Sequence, residues 1–512
     1  MVLDLDRCNV IALSLWLFAM LRMAEQVYPV FINYAPKWAC ESNKTDDHEL
    51  MYFGSDCAEY EQCQQENLVW EPNPAFHSAA SEWSMVCGQS AWYMSLVSTM
   101  QFVGVSIGTI VWSHLGDRFG RRPIGVAIVV VGMCATAATG FAPGFRSLCV
   151  IRLLVGFTIG GSMTVTYAHV VELIKPNHRM VLRGFVNWGF VRIILTTVCL
   201  CVPHWRYATI IMSALHNLPC LVLLLFVLPE SPVWLQSNGR QKEFEVAVKR
   251  VRKLNGMRHD AAAETKQKSP ENAKLLVSGV PPVLDKRVYN VCHVFTTRWL
   301  LCRTLVFMLM WFTASLTSYA SDMNSSRLAG DFFLNQYLFA IFIAASKILL
   351  FYVDLYSPWF KRRTLHQGGM ALTVVGFTIM IVLINIGGPL SLQLATYVNI
   401  ASVVFIEYTW DACYLTAAEG YPTVVRSIGV GTCSFMARMG AILAPQVAYI
   451  SIVWHAGMFV IIVILCTVTL CVSIRWLPET KNIELPMTLD ETSSDNGKKD
   501  GDTAATQEMD MR

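Results

Sequence analysis

Long apolar stretches separated by short polar segments dominate the pattern along this chain of 512 residues. A helix needs about 20 consecutive apolar residues to cross the hydrocarbon core of a bilayer. Apolar stretches of about that length form two groups of six, with a polar segment between the groups. They lie near 9–32, 89–112, 123–142, 147–171, 182–203, 207–228, 299–320, 332–356, 366–386, 389–414, 427–450 and 454–476. The pattern predicts an all-α polytopic membrane protein with 12 transmembrane helices.

The overall composition agrees with a membrane protein. Hydrophobic residues make up 54% of the chain and charged residues 15%, whereas about a quarter of the residues in a typical soluble domain are charged. The formal net charge is +3. Membrane topology accounts for the basic residues, so the composition predicts the lipid bilayer as a partner and gives no indication of nucleic acid.

The distribution of Lys and Arg predicts the orientation, because loops on the cytoplasmic side carry an excess of these residues. The loop at 114–122 and the later loops on the same side are basic, whereas the alternate loops are poor in cations. Both termini and the segment 229–298 are therefore predicted to be cytoplasmic. A cleaved signal peptide at 9–24 is the alternative, and Arg22 and Glu25 argue against it because they interrupt its apolar core.

The segment at about 33–88, between the first and second predicted helices, then lies outside the cell. It contains four cysteines, and four cysteines in an external loop indicate two disulfides with three connectivities. These are Cys40, Cys57, Cys63 and Cys87. The sequon NKT at Asn43 lies in the same loop and predicts a glycan there. The sequon NSS at Asn324 is the weaker candidate, because its loop is short.

These assignments divide the chain into four parts. Residues 1–228 form the first six-helix half and residues 299–477 the second. Between them, 229–298 is a cytoplasmic loop in which KEFEVAVKRVRKLNG places apolar residues on one helical face, so a short helix packed under the membrane domain is predicted. A calmodulin-target or lipid-binding helix is the alternative. The tail 478–512 is polar and is predicted to be mostly disordered.

Three motifs recur at corresponding places in the two predicted halves. GDRFGRRP follows the second helix and YSPWFKRRT follows the eighth. Glu172 precedes Arg179 after the fourth helix, and Glu419 precedes Arg426 at the same spacing after the tenth. The sixth helix ends in LPESPVWL and the twelfth in LPETKN. The recurrence indicates duplication, and internal repeats around a mid-membrane site are typical of secondary transporters.

The charged residues of these motifs predict a cytoplasmic gate. Gly116 and Gly120 allow two helix ends to approach closely, and the charged side chains around them are expected to pair with partners in the other half. Breaking such pairs would open the gate. The predicted gate residues are Asp117, Arg118, Arg121, Arg122, Glu172, Arg179, Glu230, Glu419, Arg426 and Glu479. The second copy of the motif lacks the glycines, which argues against a symmetric gate.

Five segments carry a family resemblance, namely GDRFGRRP, RLLVGFTIGG, PESPVWL, EGYPTVVR and PETKN. With them the chain resembles the major facilitator superfamily and, within it, the organic cation, organic anion and carnitine transporter family, over about 10–485. The resemblance implies two pseudo-symmetric six-helix halves that move small organic ions by alternating access, without a cofactor or metal. Sugar porters share two of the motifs, but the cysteine-bearing loop and a seventh helix without glutamines distinguish the chain from them.

Arg438 is a permanent cation in an uncharged segment that the pattern assigns to the eleventh helix. It lies about 16 Å along that helix at about 1.5 Å per residue, close to the middle of the bilayer. An isolated arginine at that depth costs about 2.5–3.5 kcal/mol on insertion scales, so it should face a partner or a water-filled cavity. In the family that the chain resembles, cation carriers tend to have an aspartate here and anion and carnitine carriers an arginine.

Further charged and aromatic residues accompany Arg438 in the predicted helices. Lys347 would add a second cation to an anion-binding pocket, since an arginine can hold a carboxylate or sulfonate bidentately. The predicted substrate-binding residues are Arg438, Lys347, Glu407, Asp411, Tyr337 and Trp311. The alternative is that Arg438 pairs with Glu407 or Asp411 and only holds the bundle together. A zwitterionic substrate would suit both charge signs.

Other buried charges have separate interpretations. Glu407, Asp411 or His169 could take part in coupling to a proton or sodium, and His169 alone is more often a packing residue. Arg22 and Glu25, three residues apart in the first helix, are expected to satisfy each other.

The sequence therefore predicts a secondary transporter of organic anions or carnitine-like zwitterions in the plasma membrane. Its partners would be the small organic ion, the bilayer, and a coupling ion or counter-exchanged anion. The alternatives are an organic cation transporter, a sugar porter, or a transport-inactive, receptor-like member of the same fold. An enzyme is not predicted, because the chain has no HExxH, no GxSxG and no Cys–His metal spacing.

Overall fold

The computed structural model describes residues 6–40, 57, 60, 68–174, 187–255, 291–356, 361–422 and 425–480. Within these residues, twelve helices cross the molecule in alternating directions. They are α1 (Arg7–Ile32), α2 (Gly88–Phe119), α3 (Arg121–Thr139), α4 (Phe145–Leu173), α5 (Trp188–Cys201), α6 (Trp205–Val227), α7 (Arg298–Asn324), α8 (Phe332–Tyr356), α9 (Arg362–Ile386), α10 (Pro389–Gly420), α11 (Arg426–Val453) and α12 (Gly457–Trp476). The first six form the first half and the last six the second.

The predicted all-α membrane fold is confirmed. Eleven helices in the described part of the chain are long and apolar enough to cross a membrane. The helix α5 has 14 described residues, and the predicted start of this span near 182 lies outside the described residues. The helix α2 continues past its predicted end at 112, because the motif residues remain helical until Gly120 ends the helix with a φ of 109°.

Glycines set the closest contact within the first half, between α2 and α4. A Cβ atom on Gly108 would lie 1.9 Å from the carbonyl oxygen of Phe157, and one on Gly156 would lie 1.9 Å from that of Gln101. No side chain fits into these gaps, so the two backbones touch directly. Small residues are common where membrane helices approach this closely.

The two ends of the helix bundle differ in the segments that they carry. The loop face is the end at which α1 finishes and α2 begins; it carries the strands β1 (Trp38–Cys40) and β2 (Leu68–Trp70), which pair antiparallel. The motif face is the opposite end, at which α2 finishes and α3 begins. One of the predicted disulfides is present at the loop face and joins Cys57 to Cys87. Cys63, Asn43 and the side chain of Cys40 lie outside the described residues.

Glu82 is the centre of a hydrogen-bond network that joins three connections of the loop face. Its carboxylate accepts hydrogen bonds from Arg206 Nη2 at 2.6 Å and from Trp205 Nε1 at 2.7 Å. Arg206 also donates to the carbonyl oxygens of Gly140 and Ala142. Partial burial would raise the pKa of Glu82, but the bonds from Arg206 and Trp205 outweigh it and hold the pKa below its ordinary value. The connections that follow α1, α3 and α5 are therefore joined by hydrogen bonds at the loop face.

The motif face carries the connection between the halves. The predicted amphipathic helix is present as Gln241–Leu254. Its residues Phe244 and Ala247 pack on Trp234 and Leu235, which belong to the short helix Pro232–Ser237. Arg250 donates to the carbonyl oxygens of Phe226 and Val227 at the end of α6. The helix is thus held against the first half, and residues 481–512 of the predicted tail lie outside the described residues.

Asn324, the weaker glycosylation candidate, is buried. It is 6% exposed, and its Oδ1 accepts a hydrogen bond from Ser451 Oγ at 2.8 Å. The end of α7 packs against α11 at this point, so a glycan on Asn324 does not fit this conformation.

Candidate functional site

Glu230 organises the motif face of the first half. It follows α6 and accepts hydrogen bonds from the backbone N–H groups of Arg121 and Arg122, at 3.0 Å and 3.1 Å. These groups begin α3 and have no partner within the helix. Burial raises the pKa of the Glu230 carboxyl above its ordinary value, against the effect of these hydrogen bonds. Gly120 gives the carboxylate access, because a Cβ there would lie 2.6 Å from Glu230 Oε2.

The arginines of the first motif complete this cluster. The Arg121 guanidinium pairs with Asp117 and, at 3.4 Å, with Glu172. The Arg122 side chain donates to the carbonyl oxygens of Leu224 and Leu225 near the end of α6. Glu230, which follows α6, therefore binds the start of α3, and Arg122 of α3 binds the end of α6.

The second half repeats this arrangement without the glycines. Glu479 follows α12 and accepts hydrogen bonds from the backbone N–H groups of Arg362 and Arg363, at 3.0 Å and 3.2 Å. The Arg363 side chain donates to the carbonyl oxygen of Ile474, and the Arg362 guanidinium pairs with Glu419 at 3.4 Å. The expected asymmetry is therefore not seen in these contacts.

The predicted partners across the halves are wrong for Asp117, Arg121 and Arg122 in this conformation, because their partners lie in the same half. Arg118 is exposed and lies over the ring of Phe119. Arg426 donates to the carbonyl oxygen of Tyr421, close to its own helix. Arg179 lies outside the described residues.

The contacts that do join the halves lie at mid-membrane and toward the loop face. Arg192 on α5 pairs with Asp322 on α7 and donates to Gln336 on α8 at 2.9 Å. All three side chains are buried. On the other side of the bundle, Gln446 on α11 donates to Ser95 and Thr99 on α2. The halves are thus clamped together toward the loop face.

Arg438 lies in α11 near the centre of the bundle, where sequence analysis placed it. It is half-buried, it makes no ion pair with a described residue, and its Nε is buried without a hydrogen-bond partner. The nearby hydroxyl of Tyr319 donates to Gln26 on α1 at 3.1 Å, between the halves. Arg438 therefore lies near the place where the halves meet and has no ion pair among the described residues.

Lys347 takes the acidic partners that were considered for Arg438. Its Nζ lies 3.0 Å from Glu407 Oε2 and 2.7 Å from Asp411 Oδ2. The interpretation in which Arg438 pairs with Glu407 or Asp411 is therefore wrong in this conformation. Lys347 on α8 reaches the acids on α10 directly, so it is not a second free cation beside Arg438.

The two predicted aromatic contacts differ in position. Trp311 is 1% exposed and donates to the carbonyl oxygen of Cys413 at 3.2 Å, inside the second half. The prediction that it contacts substrate has no support in this conformation, because its ring packs against Tyr414 instead. The Tyr337 hydroxyl lies 2.9 Å from Thr197 Oγ1, between α8 and α5, and so lies at the interface between the halves.

The model of the family described as sugar (and other) transporter matches residues 46–488. A Caenorhabditis elegans relative, uncharacterized protein F23F12.3, is 34% identical over 495 residues, with 94% of each chain covered. Solute carrier family 22 member 16 of Xenopus laevis is 29% identical over 423 residues, 81% of this chain and 71% of the relative. Organic cation/carnitine transporter 2 of Mus musculus is 26% identical over 448 residues, 84% of this chain and 75% of the relative. The chain belongs to the organic cation, organic anion and carnitine transporter family of the major facilitator superfamily.

A solved structure supports the fold. The xylose transporter XylE from E. coli, in a partially occluded inward open conformation, matches with a TM-score of 0.58 at 15% identity, with 94% of this chain and 99% of XylE covered. At this identity the likeness concerns the fold alone. By its family match and its transporter relatives, the chain is a multi-pass transporter of the major facilitator type and not an enzyme.

Within this transporter fold, Glu25 is the centre of a buried charge cluster in the first half. Arg152 Nη1 lies 3.1 Å from Glu25 Oε2, and His216 Nε2 lies 3.4 Å from Glu25 Oε1. The expectation that Arg22 satisfies Glu25 is wrong, because Glu25 points to Arg152 and His216 while the terminal nitrogens of Arg22 have no hydrogen-bond partner. His169 lies near the motif face, with Nδ1 4.0 Å from Glu230 Oε1.

The contact of Arg192 with Asp322 and Gln336 between the halves was not predicted from the sequence. Two signals were present: Arg192 is a charge inside a predicted apolar helix, and Asp322 is an acid directly after another. Nothing in the sequence showed that α5 and α7 meet, since that depends on how the halves are docked.

Proposed function

We propose that this transporter carries organic anions or zwitterions and that Arg438 binds their carboxylate or sulfonate group. The observation that carries the proposal is that Arg438 is a half-buried cation at the meeting point of the halves with no ion pair to a described residue. A charge in the membrane domain costs several kcal/mol unless water or a partner compensates it. A substrate anion supplies that partner for part of the transport cycle.

The neighbouring acids extend the proposal to zwitterions. Lys347 contacts two carboxylates, and with both ionised the group of Lys347, Glu407 and Asp411 carries one net negative charge. The Asp411 side chain is 29% exposed, whereas that of Glu407 is 11% exposed. Asp411 is therefore the acid that can attract the ammonium group of a carnitine-like substrate. The same net charge favours an organic cation as the second candidate.

The transport cycle follows from the contacts between the halves. We assign the loop face to the outside of the plasma membrane, on the excess of Lys and Arg at the motif face and the disulfide at the loop face. The clamp at Arg192 and Gln446 then holds a conformation closed to the outside. Opening to the outside requires these contacts to break, and coupling to a second ion or a counter-exchanged anion would enter at this step.

Uptake into cells expressing the protein tests the proposal. Labelled benzoate, carnitine and tetraethylammonium are compared in wild type, Arg438→Lys and Arg438→Gln, with surface expression measured for each. We expect uptake of benzoate or carnitine to fall about tenfold or more in Arg438→Gln, since a hydrogen bond to a charged group is lost, and to be partly retained in Arg438→Lys.

The opposite result is equally specific. If wild type takes up tetraethylammonium alone and Arg438→Gln does so at the same rate, Arg438 is not the counter-ion of the substrate and the cation carrier is the correct function. If no labelled compound enters above background, the receptor-like alternative gains support.

A further inference from the structure

The amphipathic helix Gln241–Leu254, called the connector helix below, presents unpaired lysines at the motif face. It contains five basic and two acidic residues. Glu243 pairs with Arg240 at 2.7 Å, and the Arg250 side chain binds the end of α6. Three exposed lysines make no hydrogen bond or ion pair with a described residue, namely Lys242, Lys249 and Lys253.

These three lysines share one face of the connector helix. They lie at positions i, i+7 and i+11, and the i+4 position between them is the exposed Val246. Residues at this spacing align along a helix. The opposite face carries Phe244 and Ala247, which pack on Trp234 and Leu235. The connector helix therefore buries its apolar face against the protein and leaves its basic face free.

The connector helix lies at the depth of the lipid headgroups. The Arg250 side chain donates to the carbonyl oxygens of Phe226 and Val227, the last residues of α6. Directly after the connector helix, Asn255 Oδ1 accepts a hydrogen bond at 2.9 Å from the backbone N–H of Cys8, at the start of α1. The headgroup layer is about 5–8 Å thick on each side of the hydrocarbon core. A helix within one side-chain length of the ends of two membrane spans lies in that layer.

The end of α6 beside the connector helix has an apolar outer surface. Val222, Leu225 and Phe226 are exposed there, as expected for side chains that contact acyl chains. A phospholipid whose acyl chains lie along this surface has its headgroup next to Arg250 and the basic face. Lysine side chains are long enough to reach a headgroup phosphate while their methylene groups stay on apolar surface.

We propose that the basic face of the connector helix binds anionic phospholipids of the cytoplasmic leaflet. The motif face is the end that we assign to the cytoplasm, and the cytoplasmic leaflet carries the anionic lipids that attract basic segments beside membrane spans. The bound headgroups neutralise the three lysines and hold the connector helix against α1 and α6. This binding is independent of Arg438 and of the substrate.

Calmodulin is the other partner expected of a basic amphipathic helix. It binds the apolar face of its target helix in a hydrophobic groove. In this structure Trp234 and Leu235 already cover that face. The face that remains free is the basic one, which favours a lipid over calmodulin.

Native mass spectrometry of the purified full-length transporter tests the lipid preference. The protein in detergent receives equal amounts of phosphatidylserine and phosphatidylcholine, and the ratio of the two bound lipids is measured. We expect wild type to prefer phosphatidylserine, and Lys249→Gln and Lys253→Gln each to lower this preference about fivefold. The matched control is Lys361→Gln, which removes one exposed charge from the motif face of the second half and should leave the preference unchanged.

Hydrogen exchange locates the bound lipid on the chain. In phosphatidylcholine nanodiscs, added phosphatidylserine should slow exchange in peptides that cover Gln241–Leu254 by about twofold or more. The combined variant with Lys249→Gln and Lys253→Gln should show no such slowing. Both changes affect exposed side chains, so the thermal midpoint without lipid should match that of wild type.

Two results overturn the proposal. One is a wild type that binds the two lipids equally. The other is a loss of preference in Lys361→Gln as large as that in Lys249→Gln, which would mean that only the overall charge of the motif face matters. A complex with calcium-loaded calmodulin on size exclusion, lost in the combined variant and found without any lipid preference, would make a protein the partner of this helix instead.

Discussion

The Glu25 cluster of the first half and the charges near Arg438 in the second half differ in their access to solvent. Glu25 pairs with Arg152 and lies near His216, and the side chains of Arg152 and Glu25 are 0% and 1% exposed. In the second half, Arg438 has no ion pair with a described residue, and the Lys347 group leaves Asp411 29% exposed. A closed cluster fixes the positions of α1, α4 and α6, whereas an open one can exchange its partners for a substrate. We therefore propose a structural role for the Glu25 cluster and a substrate-binding role for the charges of the second half.

The largest expected effect comes from breaking the closed cluster. Glu25→Gln removes the charge that compensates Arg152 inside the bundle, and loss of one partner of a buried ion pair costs about 3–5 kcal/mol. We expect a large drop in the thermal midpoint, measured on purified protein by fluorescence-detected size exclusion after heating.

Asp411→Asn is the matched control in the second half. Lys347 keeps Glu407 as a partner at 3.0 Å, so no buried cation loses its only partner and the loss of stability should be smaller than in Glu25→Gln. Equal losses of stability in the two variants would contradict the assigned division of work between the halves.

The next effect concerns the turn between α2 and α3. Gly120 has a φ of 109° and lies against Glu230, whereas Lys361, which precedes α9 in the second half, has a φ of −91°. Gly120→Ala should cost about 1–3 kcal/mol, because a side chain there is strained and displaces the carboxylate. Lys361→Ala should change the stability by less than about 0.5 kcal/mol, as for an ordinary surface substitution. Thermal midpoints of both variants check this, and a neutral Gly120→Ala would show that the turn does not need glycine.

The smallest effect tests the likeness of the halves. Glu230→Gln and Glu479→Gln each weaken a side chain that accepts hydrogen bonds from the first N–H groups of a helix, a contribution of about 0.5–2 kcal/mol. Because the two carboxylates make the same contacts, the two losses of stability should agree within about 0.5 kcal/mol. A loss confined to Glu230→Gln would mean that the second-half motif keeps the geometry without the stabilisation.

The second-half motif shows how much a repeat can change without losing its geometry. It lacks the glycines of the first motif, yet Glu479 still binds the backbone of Arg362 and Arg363 as Glu230 binds that of Arg121 and Arg122. The contacts are made to backbone groups at helix ends, which every residue except proline provides. The loss of the glycines is visible in the sequence. The geometry that the two motifs share depends mainly on backbone groups, which the sequence does not show.

The sequence by itself determined the class of protein, the helices and the depth of Arg438. These properties depend on the length and composition of single segments, because a bilayer requires about 20 apolar residues wherever they occur. The family motifs and the amphipathic helix after α6 could also be predicted from the sequence.

Only the tertiary structure decided which charges meet. Glu25 has Arg22 three residues away and pairs instead with Arg152, 127 residues away; Lys347, 64 residues from Asp411, takes the acids that Arg438 might have used. Pairing between helices depends on their rotation and docking, and no periodicity within one helix records these. The clamp at Arg192 and Asp322 exists only because the two halves come together toward the loop face.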